Sequence, residues 1–324
     1  MALILFQSGC KDNPISAPTK DPREFTWSVD TVRGEMWTMW GNSSRDLYMV
    51  GFNDVIYHYD GQAWQTQWLS IGPGMPVTHS GDYFGVYGFG PSNVFAVGGT
   101  SYGVGHDSSL VIHFDGSRWA EQVVEGGRDL LTVWGSGPHD VWTGGHAGSL
   151  FHYDGVSWRR AAIDANIDVK EIRGVGPNDI YFLGIRYYSS DYTTNLNLIG
   201  HYDGNRWSVI DSMNYAGPKF GASRLGIVGT TLYSVGYFGI YSFRNGQWMQ
   251  EVQTPRGLAG MCASGPRNAY AVGSDMYHFD GATWSQVTDL HFENRVMQAV
   301  WCNENEVFCF VPLYPAGNAV IHGK

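Results

Sequence analysis

One phrase recurs along the chain and limits what it can fold into. Residues 149–158 read SLFHYDGVSW, and close copies stand at 55–64 (VIYHYDGQAW), 110–119 (LVIHFDGSRW), 198–207 (LIGHYDGNRW) and 275–284 (DMYHFDGATW). In each copy an aromatic residue precedes a Trp by five positions, as in Tyr59 to Trp64 and Tyr153 to Trp158, and Phe243 to Trp248 adds a sixth instance. A second phrase lies upstream: GFGPSNVFAVG (88–98), GSGPHDVWTGG (135–145), GVGPNDIYFLG (174–184) and ASGPRNAYAVG (263–273), with weaker forms at 41–51 and 302–311. Self-similarity at this period marks a repeat architecture.

Each unit reads as an apolar strand, a Gly-Pro turn, a strand ending in Val-Gly, a variable loop, a third strand, an Asp-Gly turn and a strand carrying Trp. Four short strands in roughly 40 residues describe a propeller blade. The composition agrees: 43 Gly, 16 Phe, 13 Trp and 19 Tyr against only 15% charged residues favour tight turns and pleated strands over helices.

The two ends of the chain set the blade number. AVIHGK at the end begins the first phrase but has no Trp, whereas EFTWSVDTV near the start carries Trp27 without a preceding Asp-Gly turn. The N-terminal strand therefore completes the last blade, giving an all-β, seven-bladed, four-stranded propeller as one closed domain over 24–324.

The repeated residues read as architecture. Asp-Gly suits a tight hairpin because Gly accepts positive φ and Asp or Asn tolerates it, and the Asn245-Gly246 replacement in one unit fits a turn better than a catalytic carboxylate. Six His (58, 113, 152, 201, 278 and 322) share one position, taken by Ser242 in the remaining unit. Lying in separate blades, they are too far apart to ligate one metal, and they are expected to bond to adjacent turns. Neither a phosphate loop nor a CxxC metal knuckle occurs, so no cofactor and no metal are expected. Cys302 and Cys309 either face each other across a hairpin as a disulfide or remain buried thiols.

The formal charge of −10 without any basic cluster argues against nucleic acid as a partner. The apolar run 2–6 is too short to span a bilayer.

The start, MALILFQSGCKDNPISAPTKDP, resembles a bacterial lipoprotein signal. That resemblance implies a signal over 1–9, lipidation of Cys10, a tether over 10–23, and an extracytoplasmic protein of the periplasm, outer membrane or cell surface whose only membrane attachment is the lipid. Across 26–324 the chain resembles bacterial secreted β-propeller repeat proteins, with blades reading G-x-G-P-x-D-V-W-x-V-G and then H-Y-D-G-x-x-W. Gly135, Gly137, Pro138, Asp140, Val141, Trp142, Gly145, His152, Tyr153, Asp154, Gly155 and Trp158 match best. The wider class includes kelch or galactose-oxidase-like and WD-repeat-like propellers. The sequence supplies neither the three central Arg of a sialidase nor the Tyr-Cys pair of a copper oxidase, so the resemblance implies neither activity.

Function is expected in the loops that depart from the repeat. Insertions fall at 70–81, 100–109 and 186–195, all in the first four units. Tyr102, Tyr187, Tyr188 and Tyr192 are candidates to stack on a sugar or clamp a peptide, with His106, Asp107, Arg186 and Asp191 as polar contacts. Residues following each Val-Gly, among them His146, Arg186, Tyr237 and Asp275, are expected to rim the channel. The leading expectation is a monomeric, non-enzymatic module binding a glycan or protein through this face. The alternative is a secreted carbohydrate-active hydrolase or lyase with its site at the central funnel.

Overall fold

In the computed structural model, residues 21–100, 108–188, 194–214, 216–287, 295–313 and 317–324 are described. A short 3-10 turn (Pro22–Glu24) precedes the first strand, β1 (Trp27–Val32). Blade one is β2 (Met36–Ser43), β3 (Asp46–Gly51), β4 (Ile56–Tyr59) and β5 (Trp64–Gln67); blade two is β6 (Gly81–Gly88), β7 (Val94–Thr100), β8 (Ser109–Phe114) and β9 (Trp119–Gln122). Blade three is β10 (Leu130–Gly137), β11 (Asp140–Gly145), β12 (Leu150–Tyr153) and β13 (Trp158–Arg160); blade four is β14 (Ile167–Gly176), β15 (Asp179–Arg186), β16 (Leu196–Tyr202) and β17 (Trp207–Met213). Blade five is β18 (Ala222–Val228), β19 (Thr231–Gly236), β20 (Gly239–Arg244) and β21 (Gln247–Val252); blade six is β22 (Leu258–Gly265), β23 (Asn268–Gly273), β24 (Met276–Phe279) and β25 (Trp284–Val287). Blade seven is β26 (Ala299–Cys302), β27 (Val307–Pro312) and β28 (Asn318–Gly323), with β1 as its fourth and outermost strand.

Closure is by main-chain pairing of the two chain ends, from Trp27↔Gly323 to Val32↔Asn318, extended by Thr26 N–H to Lys324 O at 2.9 Å. The innermost strands β2, β6, β10, β14, β18, β22 and β26 each contact the next, and β26 returns to β2. No sheet is left short of a strand.

The core is seven apolar clusters, one at each blade-to-blade seam. Each outer-strand Trp packs into one of them. Trp119 of blade two lies 6.1 Å from Tyr48 of blade one, and Trp207 of blade four 5.3 Å from Trp142 of blade three. Covering a ring of this size contributes about 2 to 3 kcal/mol, so the repeated Trp is the glue between blades.

The six His bond where the sequence led one to expect, to the first turn of their own blade. His58 Nε2 is 2.8 Å from Asp46 Oδ1, His113 2.9 Å from Asn93, His201 2.8 Å from Asp179, His278 2.8 Å from Asn268, and His322 2.7 Å from Glu306. Blade five substitutes a hydroxyl, and Ser242 donates to Glu251 at 2.6 Å.

The Asp-Gly turn differs from the two-residue hairpin expected. Tyr59 pairs with Trp64 across a four-residue loop, Gly61 alone has positive φ (90°), and Asp60 Oδ1 instead accepts the N–H groups of Gln62 and Ala63 at 2.9 Å. Only blade five makes the tight form: Asn245 and Gly246 have φ of 52° and 76°, and Arg244 pairs with Gln247. The aspartate is therefore retained for its side-chain acceptor rather than for tolerance of left-handed backbone.

The cysteines also depart from expectation. Cys302 pairs in register with Val307 and Cys309 with Val300, so the two are not opposite each other across β26–β27. Cys302 is instead joined to Cys262 (Cα–Cα 6.0 Å), which staples the inner strands of blades six and seven. Cys309 is a buried free thiol, pushed up to about 12 by that burial.

Candidate functional site: the channel mouth

The geometry of the mouth begins in the inner strands. Six of the seven carry a β-bulge at the same place, just after an apolar residue paired with the Val-Gly glycine: Met36↔Gly51, Tyr83↔Gly98, Leu130↔Gly145, Val169↔Gly184, Ala222↔Gly236 and Leu258↔Gly273. The glycine is required because the backbone crowds it; a Cβ on Gly145 would lie 1.9 Å from Asp129 O. A bulge re-aims the extra side chain, and here Trp37, Phe84, Leu131 and Lys170 all line one central cavity of about 300 Å³.

The wall of this cavity is divided by chemistry. On the blade one and two side, Trp37, Phe52 and Phe84 form a closed aromatic triad, with centroids 5.9, 5.5 and 5.7 Å apart and every pair edge-to-face. Trp37 remains 39% exposed, and its aromatic surface is open to a partner. On the blade three to five side stand His146, Lys170, Glu171, Arg173 and Arg224. Glu171 is buried and held by Arg173 Nη2 at 2.5 Å and Arg224 Nε at 3.5 Å.

His146 Nδ1 donates to Asp168 Oδ2 across 2.6 Å, and Ala147 N–H donates to Asp168 Oδ1 at 2.9 Å. Burial opposes ionisation of Asp168, but these hydrogen bonds more than offset it, and the carboxyl titrates below its ordinary range. A carboxylate-oriented imidazole has the form of a general base. Asp82 holds the same strand position in blade two, where its Oδ1 accepts Asn53 N–H at 2.8 Å and ties loop to strand. Asp168 performs that tie in blade four.

The loops following strands two and four of each blade share this face, as the Asn53–Asp82 and His146–Asp168 ties demonstrate. Of the described residues nominated from sequence, only His146 lines the cavity. Arg186 sits further out, paired with Asp164 at 3.1 Å. Tyr187 and Tyr188 are 40% and 60% exposed on the blade four loop, Tyr237 is 68% exposed on the blade five loop, and Asp275 accepts from Gln286 at 3.1 Å. Tyr102, His106, Asp107, Asp191 and Tyr192 lie outside the described residues.

Trp37, Phe84, Lys170, Glu171, Arg173 and Arg224 were missed because they belong to strands read as core, and Phe52 because it directly follows one. A signal was present: the inner strands read MWTMWG, YFGVYG, LLTVWG and VKEIRG at 36–41, 83–88, 130–135 and 169–174, and their second and third positions change chemistry, as does the fifth in blade four, while the apolar first and fourth positions and the final Gly repeat.

No protein-family profile and no curated protein sequence matches the chain. Among solved structures it is similar to "YCF48 bound to D1 peptide", with a TM-score of 0.67 and 13% identity over 95% of this chain and 99% of that one. It is also similar to YCF48 from Cyanidioschyzon merolae (TM-score 0.63, 12% identity, 91% and 98% covered) and to the WD40 β-propeller domain of Doa1 (0.65, 11%, 93% and 97%). At these identities the likeness is one of architecture, and the chain is a seven-bladed β-propeller of four-stranded blades whose structural neighbours are WD40-type propellers.

Proposed function

We propose that this chain is a non-enzymatic, lipid-anchored extracytoplasmic propeller that binds a peptide segment of a partner protein at the channel mouth. The observation that carries the reading is the divided wall, an aromatic triad facing a charged half across one cavity. Binding sites combine apolar surface for affinity with a few placed polar groups for orientation. The β-propeller is commonly a protein-binding scaffold, and one similar structure holds a peptide.

The anchor reading rests on Ser8-Gly9-Cys10 and is supported by the Cys262–Cys302 bond, which suits an oxidising compartment. Topology fits it. Strand β1 begins beside the C-terminus, on the face of the Asp-Gly turns, so a tether leaving there directs the mouth away from the anchoring surface.

A photo-crosslinking residue at position 84 tests the binding reading, with the same residue at Val156 on the turn face as control. Capture of a protein at 84 alone, lost on Trp37→Ala, is the expected result. Equal capture at both positions sinks the proposal. Fatty-acid labelling of the whole cell, abolished by Cys10→Ala, tests the anchor separately.

A further inference from the structure

One cation in the mouth has no partner. Lys170 is the extra residue of the blade four bulge, between Val169↔Gly184 and Glu171↔Leu183, and it lines the cavity half-buried. Its ammonium makes no hydrogen bond or ion pair with any described residue. Both oxygens of Asp168, the one carboxylate that acts on it, are taken by His146 and the Ala147 N–H, while Glu171 is held by two arginines. Burial draws the Lys170 pKa down, Asp168 pulls the other way, and Arg224 adds to the lowering. A half-buried ammonium with no direct hydrogen-bonded partner gains from an incoming anion.

The cavity also has a direction. A second depression of about 450 Å³ shares Trp37, Phe52 and Gln298 with it and continues past Glu35, Pro312 and Asn318. The groove thus runs from Lys170, over the aromatic triad, and out across the seam between blades seven and one. A groove charged at one end, aromatic in the middle and open along a seam has the form of a seat for an extended chain.

Resting on the peptide reading above, we infer that the ligand is an extended peptide bearing a carboxylate. The carboxylate sits against Lys170 beside Arg224, an aromatic or large aliphatic side chain rests on Trp37, Phe52 and Phe84, and the chain leaves over the seam of blades seven and one. A C-terminal carboxylate and an Asp or Glu side chain present the same group.

The test uses a fluorescent pool of hexapeptides, each containing one Phe, in four forms: with or without one Glu, and with a free or amidated C-terminus. Anisotropy is read with the full chain, Lys170→Met, Lys170→Gln and Trp37→Ala. Carboxylate-bearing forms are expected to bind, and either Lys170 change to weaken them about tenfold, an effect that shrinks as salt rises. Amidated peptides without Glu should bind the native chain no better than they bind the Lys170 variants. Binding confined to free C-termini or to Glu-containing peptides identifies which carboxylate is read. If all four forms bind alike, or neither Lys170 variant matters while Trp37→Ala still weakens binding, the carboxylate inference fails and the peptide reading stands. If no form binds, both fall. Because native-chain salt dependence is read independently, the test holds even if a variant fails to fold.

Discussion

The Nε2–H of His152 donates to Asp140 Oδ1 across 2.6 Å while its ring stacks 4.4 Å from Trp142. A third-strand imidazole is thus clamped between the first turn and a second-strand aromatic, and five other blades repeat the clamp. Replacing His152 with Ala should cost about 1 to 2 kcal/mol through the lost bond and stacking. Asp140→Asn keeps the acceptor, as Asn93 and Asn268 do in their blades, and should stay within about 0.5 kcal/mol of the parent. Urea midpoints of the two variants check this.

Gly145 and Gly246 should respond differently to alanine. A Cβ at Gly145 meets the Asp129 carbonyl, a backbone atom at the start of β10, whereas Gly246 has open space and only a φ of 76° to resist. We expect Gly145→Ala to cost more than about 3 kcal/mol and Gly246→Ala about 1. Calorimetry of both will show whether the inner-strand bulge sets the first cost.

Acid should loosen the turn face first. Asp115 is held at about 2, chiefly by the Ser117 hydroxyl and then by the Arg118 and Ser117 N–H groups. Asp60, Asp154, Asp203 and Asp280 are lowered by the same kind of backbone hydrogen bonds. Since the folded values lie below the unfolded carboxylate value near ~4, this stabilisation is complete above that pH and lost as pH falls through the folded values. Carboxyl-carbon titration by NMR should show Asp115 moving upward in Ser117→Ala.

Reducing Cys262–Cys302 removes a cross-link spanning a sequence separation of 40, and is expected to cost about 2 to 4 kcal/mol. In a Cys10→Ser chain without reductant, a thiol reagent should find no reactive group in the folded protein and one after denaturation, because Cys309 is buried. A thiol reactive at native conditions would contradict the burial.

What the letters disclosed, and what they withheld, follows from period. His, Asp-Gly and Trp recur because every blade needs the same joint, so blade number and the role of β1 were legible. Lys170, Trp37 and Phe84 occupy a position whose backbone repeats but whose side chain differs in each blade, and only the bulge turns that position inward. The partner of Cys302 was hidden for a related reason: adjacent inner strands meet around the ring, whereas a hairpin reading looks only within a blade.

Pairing the first strand with the last has a consequence for how the molecule is made. Residues 27–32 must wait for 318–323 to be synthesised before they find their neighbour. Until then the unpaired edge of β27 and the apolar seams flanking blade seven stay open, so assembly is committed late and by long-range contacts, a slow and association-prone route. A truncated product would carry those sticky borders permanently, making the wheel its own check on completeness.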